Sequence, residues 1–231
     1  MNSSCSGVSR EESMDNGDGT RARILQTAME IIKRQGVTGI TTRSIAGEAD
    51  VNPAALNYHY GSKDVLIEKA LDKLLRKLFG DWKKILEIHE MTLPVRVYCL
   101  LDYTMEVLIE YPGIVGSHLF DPLVSRTMRS VFAEKIGHFL DNLAPKLEEH
   151  LPQNGKELRI SLGQVILTAV SAALIPEMYR VITEKEIVED PSRSRFIRYL
   201  MRKFLDVRLN PQDMIRSDIA RVRTLSFKPG G

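Results

Sequence analysis

The sequence predicts an all-α protein: an N-terminal three-helix helix-turn-helix domain joined to a larger C-terminal helical bundle. Three observations predict it. Apolar residues recur at helical spacing along most of the chain, and no hairpin dipeptide separates alternating runs. Four Asx-Pro pairs, Asn52-Pro53, Asp121-Pro122, Asp190-Pro191 and Asn210-Pro211, each offer an acceptor for an N-cap and a proline for the first helical position. Proline there loses no hydrogen bond and presets φ. Residues 42–60 read as two short helices around a four-residue turn.

The elements follow in order. Residues 1–19, "MNSSCSGVSREESMDNGDG", are rich in Ser, Gly, Asn and acid and read as a disordered tail. Residues 21–35 put Ile24, Leu25, Ala28, Ile31 and Ile32 on one face, and Gly36 stops that helix. Helices are expected at 42–49, with Thr41 as N-cap, and at 53–60. Residues 63–88 form a long helix after Ser62, with a stripe from Leu66 through Leu74 and Leu78 to Trp82 and Ile85. Further helices are expected at 94–110, 122–149, 156–183 and 191–208, with a weaker one at 211–223. Pro145 and Pro176 should kink or split theirs. The domains divide as 20–66, 67–210 and a C-terminal tail at 211–231, with a soft boundary inside the 63–88 helix.

Composition excludes several classes. Cys5 and Cys99 are far apart and lack a CxxC partner, which gives neither a disulfide framework nor a zinc site and fits a reducing cytoplasm. The N-terminus has no apolar stretch of the signal-peptide kind. The most apolar run, 165–175, is short of the roughly 20 residues a membrane helix needs, so no membrane partner is expected. His118, Asp121 and His138 lack metal-ligand spacing. No nucleophile elbow, phosphate loop or cofactor motif appears, so neither an enzyme nor a cofactor is expected. The net charge is only +2, but residues 20–80 hold ten Lys/Arg against six Asp/Glu. The positive excess favours an anionic partner there.

The segment "VNPAALNYHYGSKDVL", residues 51–66, carries the function. Ile45, Ala46 and Ala49 face inward from the first short helix, Val51 packs in the turn, and Leu56 and Tyr60 face inward from the second. Pro53, Ala54, Asn57 and Tyr58 are left facing outward. Small Ala54 and Ala55 let the backbone approach a surface closely. Asn57 can pair bidentately with a base edge, and Tyr58 can touch a thymine methyl or a phosphate. The helix N-terminus suits phosphate, and Lys63 after Ser62 offers a second clamp. A three-helix structural bundle with no nucleic acid is the competing reading. For Arg43 the alternative is a solvated charge; for His59 it is a packing histidine at a helix C-terminus.

Residues 20–67 resemble the N-terminal domain of TetR-type transcriptional regulators. The first helix ending at Gly36, "TTRSIA", the Val51 turn, Leu56, "YHY" and "SKDVL" carry the resemblance, over about a fifth of the chain. It implies that Thr42 and Arg43 start the supporting helix, that Asn52, Pro53, Ala54 and Ala55 form the recognition-helix N-terminus, that Asn57, Tyr58 and His59 contact bases or backbone, and that Lys63 grips phosphate. Asp50 stands where glycine is usual, Ala55 where threonine is common and Asn57 where tyrosine is common. Asp tolerates positive φ, so the turn should survive.

The resemblance also implies a repressor that binds a palindromic double-stranded DNA operator as a homodimer and is released by an unknown small-molecule inducer. Trp82, Tyr98, Tyr103, Met105, Phe120, Met128 and Phe132 are the candidate lining of its pocket, although at helical spacing they fit a core as well. Helices 156–183 and 191–208 are apolar on more than one face and are the expected dimer seam. The alternative is a DNA-bound scaffold whose C-terminal body is controlled by a protein partner.

Overall fold

The computed structural model describes residues 8–116, 131–209 and 222, with side chains from residue 18 onward except at 131. Every regular element among the described residues is a helix: α1 (Val8–Gln35), α2 (Thr42–Glu48), α3 (Pro53–Tyr60), α4 (Lys63–Leu86), α5 (Leu93–Glu110), α6 (Val131–Glu148), α7 (Gly155–Leu174), α8 (Pro176–Thr183) and α9 (Ser192–Leu205). The all-α fold is as the periodicity predicts. The chain forms two compact units, Met1–Leu74 and Leu75–Gly231, which divide inside α4.

In the first unit, α1 buries Ile24, Ala28, Ile31 and Ile32 against Ile45 and Ala46 of α2 and Leu56 of α3. Leu66, Ala70 and Leu74 supply the α4 side of this unit's core. α1 starts well before residue 21, so residues 8–19, expected to lie in a disordered tail, are helical here. Extending a helix already nucleated by a packed segment costs far less than starting one.

In the second unit α5 is the central helix, buried almost all round from Val95 to Leu108. α7 packs on α5, α6 and α9. Arg193 and Asp102 tie α9 to α5 at 2.8 Å, with both side chains buried. The proline expectations divide. Pro176 does split the 156–183 helix, into α7 and α8. Pro145 lies inside α6, which continues to Glu148, so it does not split its helix. Asp190-Pro191 does not open a helix as expected. Its peptide is cis, and α9 starts at Ser192 with Pro191 outside. Residues 117–130, 210–221 and 223–231 lie outside the described set, and with them Asp121-Pro122, Asn210-Pro211 and most of the 211–223 helix.

α7 also corrects the membrane argument. The helix has 20 residues and is apolar and long enough to cross a membrane, although the 165–175 run within it is not. Its Leu158, Leu162, Val165, Ile166, Ala169, Val170 and Ala173 are buried within the bundle, which is the packing of a core helix.

Candidate nucleic-acid interface

Local chemistry fixes both short helices. Thr41, extended at φ −119°, accepts from the Ser44 N–H at 3.0 Å, and its own N–H donates to Ser44 Oγ at 3.0 Å. This reciprocal capping box was only half read from the sequence, which pointed to Thr41 alone. The turn closes through the Val51 N–H on the Ala46 carbonyl at 3.0 Å. Asp50 takes φ 50°, the left-handed conformation expected of the residue standing in for glycine. Asn52 caps α3 by accepting from the Ala54 N–H at 2.9 Å, with Pro53 next in line. Gly61, at φ 78°, ends it.

The inward side chains are placed as expected: Ile45, Ala46, Ala49, Leu56 and Tyr60 are buried. The Tyr60 hydroxyl donates to the Arg21 carbonyl at 2.7 Å, which staples the end of α3 to α1. Burial raises its pKa, partly offset by the nearby Arg21 guanidinium. The Arg21 and Lys69 cations flank the ring at 5.8 and 5.5 Å. The Arg21 tie is not legible from local spacing, because the two residues are 39 positions apart.

The outward set is equally clear. Arg43, Asn52, Pro53, Ala54, Asn57 and Tyr58 are exposed, while Thr42, Ala55, His59 and Lys63 are half-buried. Tyr58 is 86% exposed, so the ring buys no folding stability where it stands. Its edge meets the His59 ring at 5.0 Å. Arg43 makes no ion pair among the described residues, whereas Glu48, the nearby acid on α2, is neutralised by Arg34 at 2.7 Å. Lys63 is occupied differently from expectation: its ammonium donates to the Ile40 carbonyl at 3.2 Å and lies 3.8 Å from Asp64. That carbonyl takes one of its three N–H donors, and the others are left for a phosphate. The surface therefore offers a close-approach helix start, one amide, one phenol and two or three cations, a set suited to groove edges and phosphates.

The model of the bacterial regulatory proteins, tetR family, matches residues 24–70. Residues 24–70 thus form a TetR-type N-terminal domain. A TetR-type repressor of Mycolicibacterium smegmatis, the HTH-type transcriptional repressor KstR2, is 33% identical over 67 residues, 29% of this chain and 33% of that one. The HTH-type transcriptional regulator BetI of Brucella anthropi is 36% identical over 61 residues, 26% of this chain and 31% of that one. The chain thus matches about a third of the length of these curated relatives. Over the whole chain the fold is shared with solved structures. A gamma-butyrolactone receptor (ArpA-like protein) has TM-score 0.58 at 16% identity, covering 91% of this chain and all of that one. A tetR-family regulator from Streptomyces coelicolor has TM-score 0.54 at 14% identity, covering 90% and 89%. These TetR-family relatives are regulators and receptors by name, not enzymes.

The expected pocket residues separate into three groups. Trp82 and Phe132 belong to one aromatic cluster with Phe79 and Phe139, two rings the sequence reading left out: Trp82 lies 4.7 Å from Phe79 and 4.8 Å from Phe139. The Tyr103 hydroxyl donates to buried Asp81 at 2.7 Å, and burial together with that carboxylate pushes the phenol pKa far up. Tyr98 instead donates to Ser194 on α9 at 2.9 Å, and burial pushes its pKa up to about 12. Met105 is fully buried, and Phe120 and Met128 lie outside the described residues. Both phenols are thus committed to protein partners. The Trp82 indole N–H is buried and has no partner among the described residues. Among the described residues no group of three or more His, Cys, Asp and Glu could hold a metal.

Proposed function

We propose that the chain is a DNA-binding transcriptional regulator of the cytoplasm, a repressor that reads a palindromic operator as a homodimer and is released by a small molecule. The exposed face of α3 carries this reading. Asn57 and Tyr58 stand in solvent on a helix whose opposite side, Leu56 and Tyr60, is locked into the core. A structural bundle has no use for an 86% exposed tyrosine beside an exposed amide; a reading head does.

One such head spans too few base pairs for tight binding, and a two-fold pair reads two half-sites. The second unit supports the pairing. Ile160 and Leu167 of α7, Met178, Val181 and Ile182 of α8 and Tyr199 of α9 are large apolar side chains left exposed, and a second copy would cover them. A stable ~26 kDa species by light scattering at micromolar concentration would defeat this part. The same surface is what a protein-controlled scaffold would use, and oligomeric state separates the two.

For the inducer, the aromatic cluster around Trp82 is the favoured site. A buried N–H without an acceptor costs about 1–3 kcal/mol, which a ligand carbonyl or ether oxygen could recover. α4, continuous from Lys63 to Leu86 and about 36 Å long, would carry the signal from the Trp82 end to the reading head. The deciding experiment is a gel shift with the promoter next to its own coding region, with and without a cell extract. Retardation relieved by a small-molecule fraction supports the whole reading; no retardation removes it.

A further inference from the structure

The dimer-facing surface is divided by charge. Residues 176–190 carry five acids against two bases, and residues 191–209 carry six bases against one acid. The structure turns this division into shape. Arg195, Arg198 and Arg202 follow one another at i, i+3 and i+7 on α9, with Tyr199 between them. After Asp206, left-handed at φ 53°, the chain turns so that Arg208 joins the same recess, about 640 Å³, lined by these four arginines and Tyr199. Arg195 and Tyr199 form a ridge, because they also line the adjoining groove of about 750 Å³. The far wall of that groove is the acidic segment Glu184 to Ile187.

These charges are unspent among the described residues. Arg198, Arg202 and Arg208 make no ion pair among the described residues, and neither do the exposed Glu184 and Glu189. Like charges three and four residues apart on a helix repel one another, so the arginine stripe is unfavourable until an anion covers it. Glu186 is held in place, its carboxylate accepting from the Ile187 and Val188 N–H groups at 2.7 and 2.8 Å. Those two backbone bonds keep it below the usual carboxylate range and therefore charged.

A two-fold interface is self-complementary: whatever patch i meets on its partner, the partner's patch i meets in return. A surface with a basic recess on one side of a ridge and an acidic wall on the other meets that condition by itself. We propose that the basic recess of α9 receives the acidic 184–189 segment of a second copy, and that these two symmetric contacts select which chains pair. The proposal rests on the homodimer reading above and adds to it a partner-choosing rim around the apolar residues.

The test uses two charge reversals in the full chain: Arg198→Glu with Arg202→Glu, and Glu184→Lys with Glu189→Lys. All four sites belong to the second unit, whereas α3 belongs to the first. In the arginine variant the recess of both contacts falls from four positive charges to no net charge, with the new glutamates facing acids; in the glutamate variant both contacts become like-charged. Each should dissociate at least about tenfold more readily at low salt, given several exposed pairs reversed at once. Mixed together, the two variants restore opposite charges at both contacts, so they should form a heterodimer as tight as the parent. Sedimentation reads the masses, and one variant carrying a cleavable tag identifies the heterodimer. The unmodified protein gives an independent reading, since its dimer should loosen as salt is raised from 50 to about 500 mM. Two variants that dimerise like the parent, or folded variants that fail to pair when mixed, would overturn the rim while leaving the dimer. A parent that is monomeric in low salt would overturn both.

Discussion

Replacing Asp102 by alanine should unfold the second unit early, and the structure sets the size of the effect. Asp102 Oδ1 accepts from Arg193 Nε at 2.8 Å, and the two side chains are 8% and 7% exposed. The guanidinium has a further bond to the Val188 carbonyl at 2.7 Å and the Asp190 carboxylate at 3.9 Å. Removing Asp102 therefore leaves a buried cation with one neutral acceptor and one distant, half-screened charge. Breaking such a pair from one side costs about 3–5 kcal/mol. For a chain of this length each kcal/mol lowers Tm by about 2–4 °C, so Asp102→Ala should melt roughly 6–20 °C below the parent. The double variant Asp102→Val with Arg193→Met removes both charges and nearly keeps the volume. It should recover most of that loss. Differential scanning calorimetry reads all three proteins. A fall under about 3 °C for Asp102→Ala, or a double variant worse than either single one, would refute the view that the cost is an orphaned buried charge.

Three other expectations follow from the same geometry. Asn57→Ala should cost about 1–3 kcal/mol of discrimination between operator and random DNA, while Lys63→Met should lower affinity for both and flatten the salt slope by about 0.9 per half-site; an unchanged slope would mean that the lysine stays on the Ile40 carbonyl when DNA binds. The Tyr98 phenol, ordinarily near 10 and held up to about 12 by burial, keeps its proton in the folded chain at pH values where the unfolded chain has lost it, so stability should fall as pH rises across that window, and Tyr98→Phe should remove that share of the slope in urea titrations. Spin labels at position 58 of the two subunits should change separation when inducer binds, since the heads must sit about 34–36 Å apart, or a multiple, to enter successive major grooves; lost DNA affinity with an unchanged distance distribution would point to a change in dynamics instead.

The reading domain was legible in the sequence because its determinants are local. A cap at Asn52, a proline after it, a turn residue at Asp50 and a glycine at 61 all act within a few residues, and each takes the conformation its chemistry favours. The body was less legible because its determinants are distant. Asp190-Pro191 has the same local chemistry as Asn52-Pro53, but Arg193 just beyond it is drawn to Asp102, 91 residues away, and the helix starts later. Phe139 joins Trp82 across 57 positions, and no spacing rule links the two. Lys63 has the charge and position of a phosphate clamp, yet in the free chain a carbonyl 23 residues earlier holds it. The two tyrosines chosen for a pocket could be told apart from its lining only by where their hydroxyls end.

The two left-handed residues that bracket the reading helix, Asp50 at φ 50° and Gly61 at φ 78°, limit how such a head can diversify. Both ends of α3 are fixed by backbone conformations that few residues accept, and its inner face is fixed by Leu56 and by the Tyr60 hydroxyl bond to α1. A residue gained or lost within Pro53–Tyr60 would turn Leu56, Tyr60 or both away from the core, since each residue rotates the helix by about 100°. Only the solvent-facing letters at 53, 54, 57 and 58 are free to be exchanged. Operator preference in this chain can therefore drift by substitution, one side chain at a time, but not by insertion or deletion.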